Sequence, residues 1–319
     1  MLYIFCDSDN GAVTPGTLYQ TTSTWPANSD RWLSIATAIA NTTIQSLADD
    51  LTFLVQGAND FASVNLAALT AALSVTVEGD ATGAVWDDTK ATIVSSASGN
   101  GSITLSLAVA QTLKDLQLLT VQSSGTPRTV YMTGAANIVL TNLKAKSLAT
   151  APTAGAMLTG AANPISITAT NCVVDSSGAT TPSSGISLQS SIVGNFYNCF
   201  FHGGATGATN PDNVVNCAFF GYTTQGGSSG NYKYCATVNN TGTNPITVSD
   251  WNAVFQDYAN FDYRLKAGAA LIGAGIGPAS DANVPVTDIA GNPRSGTTTD
   301  AGAAMYAASY SVTLAWLAA

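Results

Sequence analysis

One eight-residue pattern returns four times in the middle of the chain. Its aligned copies begin at Leu140, Ala169, Phe196 and Val214, and a looser fifth copy centres on Cys235. Each of the four carries asparagine at its third position, and these asparagines are 29, 27 and 18 residues apart. A constant pattern with a varying step predicts a coil of stacked repeats that differ in loop length, a solenoid.

Side chains within each copy alternate as they do along a β-strand, pointing in turn to opposite faces. Asparagine tolerates left-handed backbone angles, and identical amides can hydrogen-bond in a ladder, so it suits the bend before each strand. The predicted inward columns are Leu143, Cys172, Cys199, Cys217 and Ala145, Val174, Phe201, Phe219. The predicted outward columns are Lys144, Val173, Phe200, Ala218 and Lys146, Asp175, His202, Phe220.

The chain before the repeats begins with a predicted strand, Leu2 to Phe5. Helical spacing follows within residues 28 to 48, and the predicted strand Leu51 to Gly57 comes next. That spacing involves Trp32, Ile35, Ala36 and Ile39, with Asn28, Ser29 or Asp30 as the N-cap. Further short strands are predicted at 74–77, 92–95, 103–107, 116–121, 129–132 and 138–140, and a short helix around Leu66, Leu69 and Leu73.

Three motifs near the C-terminus occur in order: Phe261 to Gly268, Asp288 to Arg294, and Thr299 to Tyr306. Together they resemble the closing segment of pectin-lyase-like parallel β-helix proteins, both secreted and phage-borne. The chain departs from that pattern at Ala270 and Gly273, where the family has proline and aspartate. A helix opening with tryptophan is likewise similar to the entrance of such proteins.

The resemblance implies an all-β fold, a single-stranded right-handed parallel β-helix with an N-terminal capping helix and a C-terminal cap. The corresponding divisions are residues 1–72 for the N-terminal strand and capping helix, 73–250 for the β-helix, and 251–319 for the closing segment and tail strand. In the tail, Tyr310, Val312, Leu314 and Trp316 alternate with small residues. This indicates a strand that either folds back along the coil or docks on another subunit or on a virion surface.

Charge and hydropathy exclude several classes of protein. Charged residues are 9% of the chain and the formal net charge is -9, which argues against a nucleic-acid partner because phosphate recognition needs a basic surface. No apolar run reaches the roughly 18 residues of a membrane-spanning helix, so membrane insertion is not predicted. The first residues lack the pattern of a signal peptide, which indicates that one was removed or never existed.

Five cysteines and one histidine offer little for a metal or cofactor. No CxxC pair exists, so neither a zinc site nor any other cofactor is predicted. The cysteines fall in stacked core columns, where reduced thiols act as small apolar residues. This favours folding in a reducing cytoplasm.

Catalytic groups are sparse. Between residues 91 and 249 the acids are Asp115, Asp175 and Asp212, and they occupy different repeat positions, so no paired carboxylates for glycoside hydrolysis are predicted. The chain has one glutamate, Glu78. No phosphate loop or nucleophile elbow occurs. No catalytic residue is therefore assigned, and enzymatic activity stays open, with the balance against it.

One outward column nevertheless combines a base, a carboxylate and an imidazole: Lys146, Asp175 and His202. On neighbouring strands these groups could bind or cleave a sugar, although a solvated face has the same appearance. The aromatic residues Phe200, Tyr197 and Tyr222 are predicted to be exposed, where they could stack on sugar rings or on a neighbouring subunit.

A non-enzymatic structural or adhesive protein of a bacteriophage virion fits these features best, as a capsid decoration, a head fibre or a tail fibre or spike. Its expected partners are other virion proteins of the capsid or tail, further copies of itself, with a trimer as one candidate, and a host glycan. The expected location is the virion, assembled in the host cytoplasm, with an extracellular location as the alternative. The competing interpretations are a polysaccharide lyase or hydrolase (a depolymerase) and a secreted bacterial adhesin.

Overall fold

The computed structural model describes residues 1–7, 9, 31–57, 61–81, 83–96, 101–134, 136–150, 156–161, 166–179, 184–224, 231–237 and 242–306. Over these residues the fold is all-β, with largely parallel sheets and few helices. The helices are α1, Ile35–Ile39, and α2, Thr42–Gln45, together with 3-10 turns at Leu66–Ala68, Trp251–Ala253 and Tyr258–Asn260. None of the described helices is long and apolar enough to cross a membrane.

The strands are, in chain order, β1 Leu2–Asp7, β2 Asp50–Gln56, β3 Phe61–Ala62, β4 Val64–Asn65, β5 Ser74–Glu78, β6 Thr92–Ser95, β7 Ile103–Leu105, β8 Ala110–Lys114, β9 Gln117–Thr120, β10 Arg128–Met132, β11 Asn137–Thr141, β12 Lys144–Ser147, β13 Ala156–Gly160, β14 Ser166–Thr170, β15 Val173–Asp175, β16 Ser184–Leu188, β17 Val193–Tyr197, β18 Phe200–Thr206, β19 Ala208–Thr209, β20 Asn213–Val215, β21 Ala218–Thr224, β22 Asn231–Lys233, β23 Phe255–Asp257, β24 Asp262–Leu265, β25 Gly275–Ile276 and β26 Thr298–Thr299.

Three parallel sheets take up the strands in strict rotation. Sheet A has the order β1-β2-β5-β8-β11-β14-β17-β20-β22, sheet B runs from β3 to β21, and sheet C runs from β4 to β19. From β2 to β19, each pass of the chain visits sheet A, then B, then C, and the next pass stacks on it in parallel register. The last described strands, β20, β21 and β22, lie in sheets A, B and A. We call one such pass a circuit. The arrangement is compatible with a parallel β-helix.

The main core fills the space between the three sheets and extends from Leu2 to Cys235. Both predicted inward columns belong to it, so this part of the sequence prediction is confirmed. All five cysteines are buried and none forms a disulfide, as expected for thiols that act as small core residues. The inward columns could be predicted because side chains alternate strictly between the two faces of a strand, so one residue of known face fixes the face of all the others.

The corners between sheets A and B that follow β8, β11, β14, β17 and β20 each have a left-handed residue. Asn142, Asn171, Asn198 and Asn216 have φ between 53° and 55°. Their amides form a broken ladder, with Asn171 Nδ2 3.2 Å from Asn142 Oδ1 and Asn216 Nδ2 3.3 Å from Asn198 Oδ1. The same conformation appears one circuit earlier at Asp115, where the sequence pattern was not recognised. Left-handed geometry and amide stacking are thus both as predicted.

The N-terminal helix differs from its prediction. Trp32 does not open a helix but pairs with Cys6 beside β1, because its backbone exchanges hydrogen bonds with Phe5 O and Asp7 N. The first helix begins after Ser34, whose hydroxyl accepts a bond from Thr37 N and forms a capping box. Residues 28 to 30, the predicted cap, lie outside the described residues. Both helices bury apolar side chains in the main core.

Strand β8 is one of the strands that the sequence did not predict. Its buried Gln111 interrupts the apolar alternation, yet the amide is satisfied by exchanging hydrogen bonds with the backbone N and O of Leu107. The predicted tail strand lies beyond Tyr306, outside the described residues. The division at residues 72 and 250 stays a prediction, and sheets A, B and C already include strands that precede residue 73.

Residues 251–306 form what we call the covering segment. It carries the antiparallel pairs β23–β24 and β25–β26 and packs on the outer face of sheet B. A second apolar core forms between them, in which Phe200 and Phe220 of sheet B meet Phe255, Phe261 and Tyr263 of the covering segment. The outward columns of sheet B are therefore buried under a second layer of chain.

Candidate functional site

The column of Lys146, Asp175 and His202 is aligned as predicted. Lys146 pairs in register with Asp175, and Asp175 with His202, on the successive strands β12, β15 and β18. The column faces away from the main core as predicted, but the expectation that it is accessible is wrong, because the covering segment lies on it and buries both Asp175 and His202. The column is therefore neither a solvated face nor an open groove.

Asp175 is the centre of a buried polar network. Its Oδ2 accepts a hydrogen bond from the Tyr263 hydroxyl at 2.7 Å, and its Oδ1 accepts from Ser177 N at 2.8 Å and Ser177 Oγ at 2.6 Å. His202 Nδ1 lies 2.9 Å from the Tyr263 oxygen and 3.3 Å from Asp175 Oδ1. Since the phenol proton goes to Asp175, the phenol oxygen is left to accept from His202.

Within this network the pKa shifts favour an ionised Asp175 and a neutral Tyr263. Burial would raise the pKa of Asp175, but the interaction with His202 and the bonds from Ser177 and Tyr263 outweigh it and lower that pKa below its usual value. Burial, with Asp175 adding to it, raises the pKa of the Tyr263 hydroxyl well above normal. Tyr263 consequently remains a donor, and Asp175 remains an acceptor.

Aromatic rings enclose His202. Phe220 stacks on it with ring centroids 4.5 Å apart, and Tyr258 meets it edge-on at 5.0 Å. Phe200, Tyr197 and Tyr222, which the sequence predicted to be exposed for sugar contact, are all buried, and this prediction is wrong. Phe200 packs under the covering segment, Tyr197 packs with Val284, and Tyr222 belongs to the main core.

The two lysines of sheet B turn toward residues 83–88 instead of toward Asp175. Lys146 Nζ lies 5.6 Å from the ring centroid of Trp86, at cation–π distance. Lys144 is fully buried, and its Nζ donates to Val85 O at 2.8 Å. Burial lowers the pKa of Lys144 to about 8. Within the column, Lys146 therefore contacts Trp86, while Asp175 and His202 contact Tyr263.

The network attaches the covering segment to sheet B, because Tyr263 contacts both Asp175 and His202 and aromatic rings shield these contacts. A general acid or base must reach its substrate within hydrogen-bond distance, and here the covering segment occupies that space. The residues that sequence reasoning missed are Tyr263 and Ser177. The motif around Phe261 was recognised as a closing element, but nothing in its pattern indicated that it bonds to a residue 88 positions earlier.

A cleft of about 850 Å³ opens between residues 83–88 and the covering segment, and no sequence pattern had indicated it. One wall is the segment 83–88, with Trp86, Asp87 and Asp88; others are Gln256 and Arg264 of the covering segment and its turns at 288–292 and 304–306. Among the residues that the structure describes, no group of three or more His, Cys, Asp or Glu side chains could hold a metal ion.

Comparison with models of known families, with curated proteins and with solved structures gave no match. Function is therefore to be argued from the geometry of this chain alone.

Proposed function

We propose that this chain is a non-enzymatic structural or adhesive protein of a bacteriophage virion, built on a right-handed, single-stranded parallel β-helix. The observation that carries the non-enzymatic part is the sealing of Asp175 and His202 beneath Tyr263 and the rings around it. The one column with the residue types of a sugar-cleaving site serves to attach a second layer of chain.

The finer description of the fold is supported by topology and by general rules of chain connection. Parallel strands joined through crossovers are right-handed in roughly 98% of proteins, which favours a right-handed coil here. An open coil end exposes apolar core and unpaired strand edges, so it needs a cover. We assign that role at the first circuit to α1 and α2. The C-terminal cap is proposed as a lateral one, because residues 251–306 cover the outer face of sheet B.

Assignment to a virion rests on the character of the chain. Buried free thiols suit folding in a reducing cytoplasm, where virus particles assemble. A stiff stack of parallel strands with small neutral side chains suits a fibre or a decoration. Mass spectrometry and immunogold labelling of purified virus particles from the source culture test this: stoichiometric labelling of heads or tails supports it, and absence from particles refutes it.

Assembly with further copies of the chain, a trimer included, has its own test. A variant that ends at Tyr306 should remain folded but lose the oligomeric state of the full chain in analytical ultracentrifugation. Unchanged assembly would remove the tail from the interface. A signal peptide encoded upstream of Met1 would instead favour the secreted bacterial adhesin.

The depolymerase alternative is favoured by one observation, the cleft with carboxylates at Asp87 and Asp88. It predicts release of reducing ends or unsaturated sugars from a polysaccharide. The sealed network predicts none, and Asp175→Ala should lower stability without affecting any sugar chemistry. Release of sugar ends by the wild type would overturn the non-enzymatic assignment.

A further inference from the structure

The cleft beside residues 83–88 is the strongest candidate for a binding site in the described part of the chain. Its volume of about 850 Å³ lies in the range of small-ligand sites, roughly 300–1,000 Å³. The lining combines one indole ring with carboxylate, carboxamide and guanidinium groups from Asp88, Gln256, Asn292 and Arg264. This mixture is suited to a ligand with one apolar face and several hydroxyl groups.

The wall that carries Trp86 is fixed before any ligand arrives. Trp86 N donates to Phe261 O at 3.2 Å, and Val85 pairs with Asp262 in an antiparallel bridge. Next to it, the Gln117 amide exchanges two hydrogen bonds with the backbone of Asp87, at 2.8 and 2.9 Å. The segment is thus held by both sheet B and the covering segment.

The indole ring of Trp86 is itself held at a defined angle. Phe261 meets it edge-on with centroids 5.2 Å apart, and the Lys146 ammonium lies over it at 5.6 Å. The ring remains partly exposed to the cleft. An aromatic face fixed in this way is a platform for the C–H face of a sugar ring, at little cost in ordering.

The opposite wall is equally preformed. Asp288 accepts hydrogen bonds from Ala290 N, Asn292 N, Asn292 Nδ2 and Met305 N, all between 2.8 and 3.0 Å. This closes the turn that presents Asn292 to the cleft. The site therefore needs no rearrangement to accept a ligand.

Charge decides which sugars fit. Asp262 neutralises Arg264 through bonds to Nε at 2.8 Å and Nη2 at 2.5 Å. The lining carboxylates Asp87, Asp88 and Asp288 outnumber the one further cation that the structure describes at the indole ring, the Lys146 ammonium. The chain as a whole carries -9. Acidic glycans would be repelled by this field, and neutral ones would not.

We propose that the cleft lined by Trp86, Asp88, Gln256 and Arg264 binds a neutral oligosaccharide without cleaving it. The inference deepens the adhesive part of the proposed function and rests on it for the absence of cleavage.

The test is calorimetric titration of the full chain with tetra- to hexasaccharides of glucose, galactose, mannose and N-acetylglucosamine, and with oligogalacturonate as the acidic probe. At least one neutral probe should bind and the acidic probe should not.

Asp88→Ala and Gln256→Ala should each weaken binding by about 2–10-fold, as expected for lost hydrogen bonds. Trp86→Ala should abolish it. Asp257→Ala, an exposed acid of the same segment outside the cleft, is the matched control and should leave binding unchanged.

Four results would overturn the site: no neutral probe binds, the acidic probe binds more tightly, the Asp88 and Gln256 variants bind as the wild type does, or binding appears only after residues 307–319 are removed. The last result would indicate that the cleft binds the chain's own C-terminal residues instead of a sugar. Near-ultraviolet circular dichroism checks the fold of Trp86→Ala. If that variant misfolds, Asp88→Ala and Gln256→Ala still test the site, because both replace exposed side chains. Cleavage of a bound probe would refute the non-enzymatic function while leaving the site intact.

Discussion

The side-chain amide of Asn216 and the backbone of Ile276 exchange two hydrogen bonds, each 2.8 Å long, across 60 residues of sequence. The amide thereby imitates a neighbouring β-strand on one side of β25, whose other side pairs with β26. Gln117 does the same for Asp87, and Gln111 for Leu107. In this chain, buried amides join the stacked circuits to the loops and segments laid against them.

Loss of the Asn216 amide should loosen the covering segment. Asn216→Gly keeps the left-handed backbone, so it isolates the lost amide, and we expect a fall of about 2 kcal/mol in the free energy of unfolding. Asn216→Ala should cost about 1–2 kcal/mol more, because an L-residue with a Cβ is disfavoured at positive φ. Urea denaturation followed by tryptophan fluorescence measures both. The exposed Asn137→Ala is the control and should change stability by less than about 0.5 kcal/mol; equal losses at both positions would contradict the pairing.

Gly302 should tolerate no side chain. A Cβ there would overlap the ring of Phe200, and φ is +95°, so Gly302→Ala should destabilise the protein by at least about 3 kcal/mol. Gly291 is the matched comparison, since its φ is +82° with open space around it, and Gly291→Ala should cost only about 1 kcal/mol. Thermal unfolding of the two variants separates overlap from backbone strain. Similar losses would show that the Phe200 contact is unimportant.

Acid should weaken the attachment at Asp175. Its pKa is below the usual value in the folded state, so its contribution to stability is fully present above about pH 4 and is lost as the pH falls through the folded-state pKa. The stability difference between wild type and Asp175→Asn should therefore shrink from pH 6 to pH 3. Denaturation at several pH values measures it. A difference that does not vary with pH would exclude a charged Asp175 from the network.

Ionised Lys144 should lower the stability of the folded protein, whereas ionised Asp175 raises it. Burial lowers the pKa of Lys144 to about 8, so the folded state bears the cost of a buried cation below pH 8 and is relieved as the pH rises toward the unfolded value near 10.4. Lys144→Met should be about 1 kcal/mol more stable than wild type at pH 7, with the gain decreasing between pH 8 and 10. Lys233→Met, at a lysine that is only partly buried, offers a control for lost charge alone. A gain that increases with pH would contradict the sign.

The sequence predicted what depends on a period of two residues. One copy of the repeat fixed the faces of Cys172 and Val174, and the asparagine position fixed the left-handed corners. Prediction failed where a polar residue replaced an expected apolar one, as at Gln111 in β8, because its satisfaction by backbone atoms has no local signature.

The site could not be predicted because it depends on contacts distant in sequence. Asp175 meets Tyr263 over 88 residues and Asn171 meets Thr287 over 116, whereas alternation informs only about neighbours within a strand. An outward position in a strand therefore indicated solvent where the fold places a second layer. Trp86 was missed for the same reason, since its role comes from Phe261 and Lys146.

The covering segment bonds to three successive corner asparagines: Thr287 to Asn171, Asp300 and Gly302 to Asn198, and Ile276 to Asn216. These contacts match only one number of circuits between Asn171 and Asn216. Duplication or deletion of a circuit between these corners would shift some contacts by one strand spacing, roughly 4.8 Å, and leave the segment mismatched. Growth or shortening of the coil by recombination between repeats is thus restricted to circuits outside that span, and loop length is the property left free to vary within it.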